Sequence, residues 1–199
     1  MLAIKFLRNS LFWLTCSLIA LASYRIVFAD IALVMPVMEQ HLIRPFALYG
    51  HVFLAPVALL VLPFQFWTKF RQRRLHLHRL LGRIYVVAVF ISGLCSIWLA
   101  LTTQSGVLAA WGFGALGVLW LATTAMALVK VRGGDIKAHQ LWMIRSGALT
   151  FAAVTLRLQL PIGIGVWGFE NAYPVIAWSC WVPNLIVAEW IVRTQQASR

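Results

Sequence analysis

The sequence predicts an all-α protein, a polytopic transmembrane bundle of about six helices that forms one integral membrane domain over residues 1–199. Of its 199 residues, 62% are hydrophobic and 11% are charged, whereas a soluble domain is about half apolar and about a quarter charged. The apolar residues form long runs, and the charged residues lie mainly in short segments between them. Runs of about 20 apolar residues match the hydrocarbon thickness of a membrane, so the lipid bilayer is the first predicted partner.

The bounds of the spans follow from these apolar runs. We expect them at residues 11–34, 46–67, 84–102, 107–129, 141–160 and 174–192. The first run contains Arg25, and the same stretch has the features of a signal peptide: a basic start, an apolar core and a small-residue cleavage site ending at Ala29. We favour an uncleaved helix that extends to about Val34, and both interpretations give the same later topology.

The first connections fit this order of spans. Residues 35–45 are expected to form an external connection in which His41 is exposed. The second span contains Pro56 and Pro63, which membrane helices tolerate when neighbouring groups satisfy the carbonyls that proline frees. Residues 68–83 follow as a basic loop.

The second half of the chain continues the pattern. Small residues in span four allow close approach of helices, and Asp135 in the second basic loop is a predicted N-cap for span five. Residues 161–173 are apolar but rich in glycine, which predicts an interfacial or re-entrant loop. Glu189 in span six is expected to form a structural ion pair with Arg145 or Arg83.

The distribution of Lys and Arg predicts the orientation. Six of the seventeen Lys and Arg lie within residues 68–83, and most of the others lie in segments that six spans would place on the same side. The opposite connections contain Asp30, Glu39 and Glu170. The positive-inside rule therefore predicts a multi-pass protein of the cytoplasmic (inner) membrane with both termini in the cytoplasm. The basic loops serve as an orientation signal and not as a nucleic-acid surface.

Sequence motifs of soluble catalysis are absent. There is no Walker-type phosphate loop, no dinucleotide fingerprint, no Cys-x-x-Cys, no His-Glu-x-x-His and no nucleophile-elbow serine. Cys16, Cys95 and Cys180 lie within apolar runs and are expected to be buried hydrophobic residues. Soluble hydrolase or dehydrogenase chemistry therefore has no support.

Two histidines occupy equivalent positions in the predicted topology. His78 and His139 lie at the cytoplasmic ends of the third and fifth spans. If those helices pack together, two neutral imidazoles would hold a b-type haem iron from both axial sides. Gly82 would leave room for a flat macrocycle, and nearby basic residues would meet the propionates. These basic residues are Arg79, Arg83, Lys137 and Arg145. The alternative is that both histidines are solvated or face lipid head groups.

Ionisable residues inside spans mark a second candidate site, near the predicted outer face. His51 lies in the first turns of span two, and Arg25 and Arg157 are predicted at a similar depth. An ionisable residue within a span is a functional hypothesis by default. The group would form a quinol or small-ligand pocket, a second haem edge or a proton-linked site. The alternative is a structural hydrogen-bond network.

Three motifs carry a resemblance to a known family. They are His51, then His78-Arg79-Leu80-Leu81-Gly82-Arg83-Ile84-Tyr85, and then His139-Gln140-Leu141-Trp142-Met143-Ile144-Arg145-Ser146. With these motifs, residues 44–157 resemble the predicted bacterial membrane proteins grouped as domain of unknown function 2306. The resemblance implies a location in the bacterial cytoplasmic membrane, and the family brings no established activity.

More distantly, the arrangement is similar to the six-helix di-haem transmembrane cytochromes b. In that group one haem lies between helices three and five, where His78 and His139 occupy matching places. The other haem lies between helices two and four; His51 would be one ligand, but span four contains no histidine. The resemblance implies haem b at the first pair, and a quinol or another redox partner at an outer site that includes Arg157.

The expected function is therefore that of a b-type cytochrome-like electron-transfer protein. The alternative is a small transporter or accessory membrane protein without a redox cofactor. Two features favour it: span four has no histidine, and the spans contain Arg25, His51 and Arg157. A third interpretation is a structural membrane partner whose basic loops set orientation and bind anionic lipid.

Overall fold

A computed structural model of the protein describes residues 2–34 and 36–197, and its regular elements are all helical. The all-α class predicted from the sequence is confirmed for these residues. The α-helices are α1 Leu2–Ser23, α2 Ile31–Val34, α3 Pro36–Glu39, α4 Pro45–Phe66, α5 Thr68–Arg73, α6 Leu75–Leu101, α7 Val107–Arg132, α8 Ile136–Ser179 and α9 Val182–Ala197. A 3₁₀ turn, Tyr24–Val27, joins α1 to α2.

Four described segments are long and apolar enough to cross a membrane, and not six. They are α4, α6, α7 and the stretch Ile136–Ala197 that contains α8 and α9. The prediction of six spans differs in two places: the first predicted span is not among these segments, and the last stretch contains the predicted spans five and six. At 44 residues, α8 would extend about 66 Å if straight, twice the hydrocarbon thickness of about 30 Å. It is broken at Gly168, whose φ of +72° is outside the helical range.

The predicted loop and sixth span are therefore arranged differently from expectation. Residues 161–173 are helical on both sides of Gly168, and the predicted span 174–192 is divided between the end of α8 and α9. A turn at Cys180 and Trp181 separates the two pieces. A residue with positive φ is easily accommodated only when it lacks a Cβ, which explains why the main break falls on a glycine.

The first span also differs from its predicted bounds. A single helix from residue 11 to Val34 is wrong, because α1 ends at Ser23 and the chain turns before α2. The Ser23 hydroxyl donates to the Ile19 carbonyl at 2.8 Å, a local bond of the kind that competes with continued helix. The exposed Arg25 follows at once, so the apolar run that would carry the helix further is interrupted.

The basic stretch is helical and not a loop. α5 ends at Arg73, the backbone breaks at Arg74 (φ −136°, ψ 54°), and α6 begins at Leu75. Long unbranched side chains such as leucine and arginine favour helix, so α6 begins well before the predicted start of span three. At the other basic loop, the predicted N-cap is confirmed: the Asp135 carboxylate accepts from the Ala138 backbone N–H at 2.9 Å.

The helices pack around one apolar core. α6 lies against both α4 and α7, while α8 packs on α7 and also contacts α4 and α1. The largest fully buried apolar side chains of this core come from α4, α6 and α8; they include Leu59, Leu62, Val89 and Val154. Many large apolar side chains on the opposite faces are exposed, among them Leu94, Trp98, Val118 and Ile186. Such an apolar exterior suits lipid as the surrounding solvent.

Five buried polar side chains join α6, α7 and α8, and we call this group the central polar hub. The Tyr85 hydroxyl is hydrogen-bonded to Ser146 Oγ at 2.7 Å and to Thr150 Oγ1 at 2.6 Å. From α7, Trp120 Nε1 donates to Thr150 Oγ1 at 2.8 Å and Thr124 Oγ1 contacts Ser146 Oγ at 2.7 Å. Every member is buried, so the hub connects three helices through mutually satisfied polar groups.

Removing the Tyr85 hydroxyl should destabilise the bundle modestly. In Tyr85→Phe, Ser146 and Thr150 keep their bonds to each other and to α7, so we expect a loss of about 1 kcal/mol, the scale of one interhelical bond in a membrane protein. That corresponds to a fall of about 2–4 °C in the Tm of the purified protein in detergent. Tyr49→Phe is the matched control, because Tyr49 is 39% exposed. Equal Tm values for the two variants would show that the hub bond does not contribute.

Gly112 should be intolerant of even one methyl group. A Cβ there would lie 2.9 Å from the Ala177 carbonyl oxygen and 2.9 Å from Trp178 Nε1, so α7 would have to move away from the last turns of α8. We expect Gly112→Ala to cost about 1–3 kcal/mol in stability, as overpacking does. Gly114→Ala, two residues further along α7, meets nothing closer than 3.9 Å and should leave Tm unchanged or higher. A Gly112→Ala protein as stable as Gly114→Ala would contradict this packing.

Candidate functional site

His78 and His139 lie at one end of the bundle, which holds α5 and the first turns of α6 and α8 and which we call the basic end. Tyr85 and Ser146 follow them by seven residues, about two helical turns, so each histidine shares a helix face with a hub residue. Because those hub residues are 2.7 Å apart, the histidines lie at one level, about 10 Å from the hub. The structure therefore places the two histidines at the same end of the bundle, one on α6 and one on α8.

The Nδ1 atoms of the two imidazoles differ in their hydrogen bonding: that of His139 has a partner, and that of His78 has none among the described residues. His139 Nδ1 lies 2.9 Å from the Ala127 carbonyl oxygen of α7. A carbonyl only accepts, so Nδ1 carries the proton and Nε2 presents its lone pair. This arrangement, one nitrogen fixed by a carbonyl and the other available, is the usual state of a metal-binding histidine. His78 Nδ1 is buried and has no hydrogen-bond partner among the described residues.

The cations at the basic end divide into two kinds. Arg79 and Arg83 are exposed on the first turns of α6. Arg145 instead forms the ion pair expected with Glu189, through Nε–Oε1 at 2.5 Å and Nη2–Oε2 at 3.0 Å. Its guanidinium also stacks on Trp142 at 4.6 Å from the ring centroid. The predicted pairing is therefore confirmed, and Arg145 has a protein partner where the sequence suggested a haem propionate.

Gly82 does not leave the space expected for a macrocycle. A Cβ at this position would lie 3.3 Å from Gln65 Oε1 of α4, and Gln65 Nε2 donates to the His78 carbonyl at 3.5 Å. The glycine allows α4 to approach the start of α6.

A second group of cations lies at the opposite end of the bundle, and we call it the Arg157 cluster. Arg157 Nη1 donates to the Ala153 carbonyl at 3.1 Å and Nη2 donates to Ser23 Oγ at 2.8 Å. His51 Nδ1 lies 3.0 Å from the Ser92 carbonyl oxygen. Arg25 follows Ser23 by two residues, and His41 precedes α4, whose first turns carry His51. The cluster is Arg25, His41, His51 and Arg157.

His41 is the member that the sequence misassigned. The expectation that it is exposed is wrong, since only 5% of its surface is accessible and its Nδ1 has no hydrogen-bond partner among the described residues. The connection is held inward by Gln40, whose Oε1 accepts from the Gln104 backbone N–H at 2.5 Å and whose Nε2 donates to Ser105 Oγ at 3.1 Å. Burial, with Arg44 nearby, lowers the pKa of His41 below its ordinary value.

A cavity of about 520 Å³ opens beside this connection. Its polar lining includes Gln40, Gln104, Ser105, Glu170 and Tyr173. The cavity lies between the connection, the turn after α6 and the region of the Gly168 break, and members of the Arg157 cluster do not line it. Within the described residues, no group of three or more His, Cys, Asp or Glu is arranged to hold a metal ion.

These features define a helical integral membrane protein with polar groups at both ends of an apolar bundle. The chain belongs to the family described as predicted membrane protein (DUF2306), which matches residues 48–192. Comparison with curated proteins and with solved structures gave no match. The matched region contains His51, His78, His139 and Arg157.

Sequence reasoning missed the central polar hub altogether. A single hydroxyl in an apolar run carries little information until its partner helix is known. One signal was nevertheless present: the two longer family motifs end at Tyr85 and Ser146, each seven residues after its histidine. Equal spacing of a histidine and a polar residue on two helices indicates two faces that meet at two levels.

Acid should destabilise the fold through His41. Since its folded pKa lies below the ordinary value of about 6.5, its contribution to stability is complete above that pH and is lost as pH falls towards the folded pKa. We expect Tm in detergent to fall between about pH 7 and about pH 5, and to fall less in His41→Gln. His76→Gln, an exposed histidine on α6, should keep the wild-type pH profile. Parallel profiles for wild type and His41→Gln would exclude this role.

Proposed function

We propose that this member of the DUF2306 family is a b-type cytochrome-like electron-transfer protein, with haem between α6 and α8. The observation that carries the proposal is the pair of histidines at one level of the bundle, with His139 Nδ1 fixed by the Ala127 carbonyl. That bond leaves Nε2 as the free electron-pair donor, the form in which histidine binds iron. The buried Nδ1 of His78, which has no hydrogen-bond partner among the described residues, fits a ring whose polar atoms are completed by a ligand.

Different residues at the basic end would bind the iron and the propionates of the haem. His78 and His139 would hold the iron through their imidazole nitrogens. The exposed Arg79 and Arg83 would meet the propionates, whereas Arg145 is engaged with Glu189. Haem b supplies reversible one-electron transfer when bound. The protein's part is to fix both rings and to surround them with apolar side chains.

The site for an electron donor is proposed at the opposite end. Arg25, His51 and Arg157 would line a site for a quinol or another redox partner, since a guanidinium and an imidazole both donate hydrogen bonds to an oxygen-bearing ring. The excess of Lys and Arg at the basic end supports an orientation with that end and both termini in the cytoplasm of a bacterium.

A cofactor-free transporter or accessory protein is the second candidate. The observation that favours it is the Arg157 cluster itself, in which the guanidinium meets only neutral acceptors among the residues that the structure describes. Such a group suits the passage or retention of an anionic solute as well as it suits electron transfer. This candidate predicts a colourless protein.

The absorption spectrum of the purified protein decides between the two candidates. After expression with adequate haem, we expect a Soret band that shifts on reduction, and its loss in His78→Ala and in His139→Ala. His76→Ala removes an exposed imidazole two residues from His78 and should leave the band unchanged. Elution position in size-exclusion chromatography shows whether each variant is folded. A folded wild-type protein without a Soret band, or a band that survives in the double variant of His78 and His139, would refute the proposal.

A further inference from the structure

The Arg157 guanidinium is a charge within the bundle for which the described residues provide no carboxylate partner. Its described hydrogen bonds go to the Ala153 carbonyl and the Ser23 hydroxyl, both neutral. The ion pair between Arg145 and Glu189 lies at the basic end. A guanidinium has five N–H donors, and burying its charge without a counter-ion is costly. Some N–H donors of Arg157 are therefore available to an acceptor that carries negative charge.

Other basic side chains lie at the same end of the bundle. The bond to Ser23 brings the Arg157 guanidinium to the end of α1, two residues before Arg25. His41, which precedes α4, is almost fully buried and has no hydrogen-bond partner at Nδ1 among the described residues. An anionic group with several oxygens would supply acceptors to the remaining N–H donors of Arg157, and an imidazole N–H at this end would be a further donor.

The depth of the cluster indicates which anion is available. Arg157 lies 21 residues after Ile136, the first residue of α8, and this interval spans about 32 Å of helix. The hydrocarbon core of a bilayer is about 30 Å thick. If α8 begins at one edge of the core, Arg157 reaches the other edge, where lipid phosphates lie. Arginine matches the geometry of phosphate oxygens with two parallel N–H bonds.

We propose that the Arg157 cluster is a phosphate-binding site, with Arg157 as its principal donor and His41 and His51 beside it. The phosphate is that of a lipid head group at the membrane surface or of a small soluble phosphate, and the two share the same recognition chemistry. The site is separate from the histidine pair at the basic end, so it does not depend on haem. It specifies the anion of the second candidate function, and bound phosphate would take the place of the quinol proposed for the same residues. A colourless protein would leave it intact.

The test is a thermal unfolding series on the full-length protein in a maltoside detergent. The probes are inorganic phosphate at constant ionic strength, dihexanoyl phosphatidylglycerol, and dihexanoylglycerol, which has the same chains and lacks phosphate. Binding to the folded state raises Tm in proportion to occupancy. We expect a saturable rise with at least one phosphate probe and none with dihexanoylglycerol. A response to both phosphate probes indicates a soluble phosphate, and a response to the lipid alone indicates a head group.

Variants assign the response to the site. Arg157→Gln should weaken apparent affinity for the phosphate probe at least about tenfold, the effect of losing a charge-assisted bond. Arg157→Lys keeps the positive charge but lacks the two parallel N–H donors of the guanidinium, so its affinity for the phosphate probe should lie between those of wild type and Arg157→Gln. It replaces Arg157→Gln in the comparison if the glutamine variant does not fold. Arg193→Gln removes the same charge from an exposed position on α9 and should respond like wild type. No rise with either phosphate probe, or an equal rise in wild type, Arg157→Lys and Arg157→Gln, would overturn the proposal.

Discussion

The central polar hub is the contact on which the arrangement of the other elements depends. The burial of apolar surface alone favours no particular helix rotation in a membrane, because lipid chains are as apolar as leucine. Tyr85, Ser146 and Thr150 remove that freedom, since their hydroxyls satisfy one another only in one rotation and at one height. Fixing α6 against α8 at the hub fixes the positions two turns away, where His78 and His139 lie. The position of His78 relative to His139 therefore depends on the hub.

Close contacts at glycines, together with the central polar hub, fix how the helices pack. Gly112 of α7 allows the backbone of α8 to come into contact with it. Gly147 of α8 allows the Phe66 ring of α4 to approach so closely that a Cβ at Gly147 would lie 2.8 Å from the nearest ring atom. These contacts act on α8 from two sides, on either side of the Gly168 break. The long helix is thereby held at several levels although its second part changes direction. Small residues serve the same purpose here as polar ones: they make one packing geometry better than its neighbours.

The sequence was sufficient for the features that depend on composition along the chain. The all-α class and the positions of α4, α6 and α7 follow from apolar length, which needs no knowledge of neighbours. The end of α1 at Ser23 and the division of the sixth predicted span were missed, because they depend on local bonds and on packing. His41 was placed on the surface because it follows a proline-containing polar segment, but the contacts of Gln40 draw that segment against the turn after α6.

The two candidate sites share one rigid element and differ in their electrostatic character. His139 and Arg157 are 18 residues apart on α8, about 27 Å of helix, and the Gly168 break lies beyond both. At the basic end Arg79 and Arg83 are exposed and Arg145 is paired with Glu189, and the two imidazoles are the groups suited to a metal. At the other end the guanidinium of Arg157 has only neutral acceptors among the described residues, which suits an anion. The two ends would therefore hold different ligands, and α8 sets the distance between them.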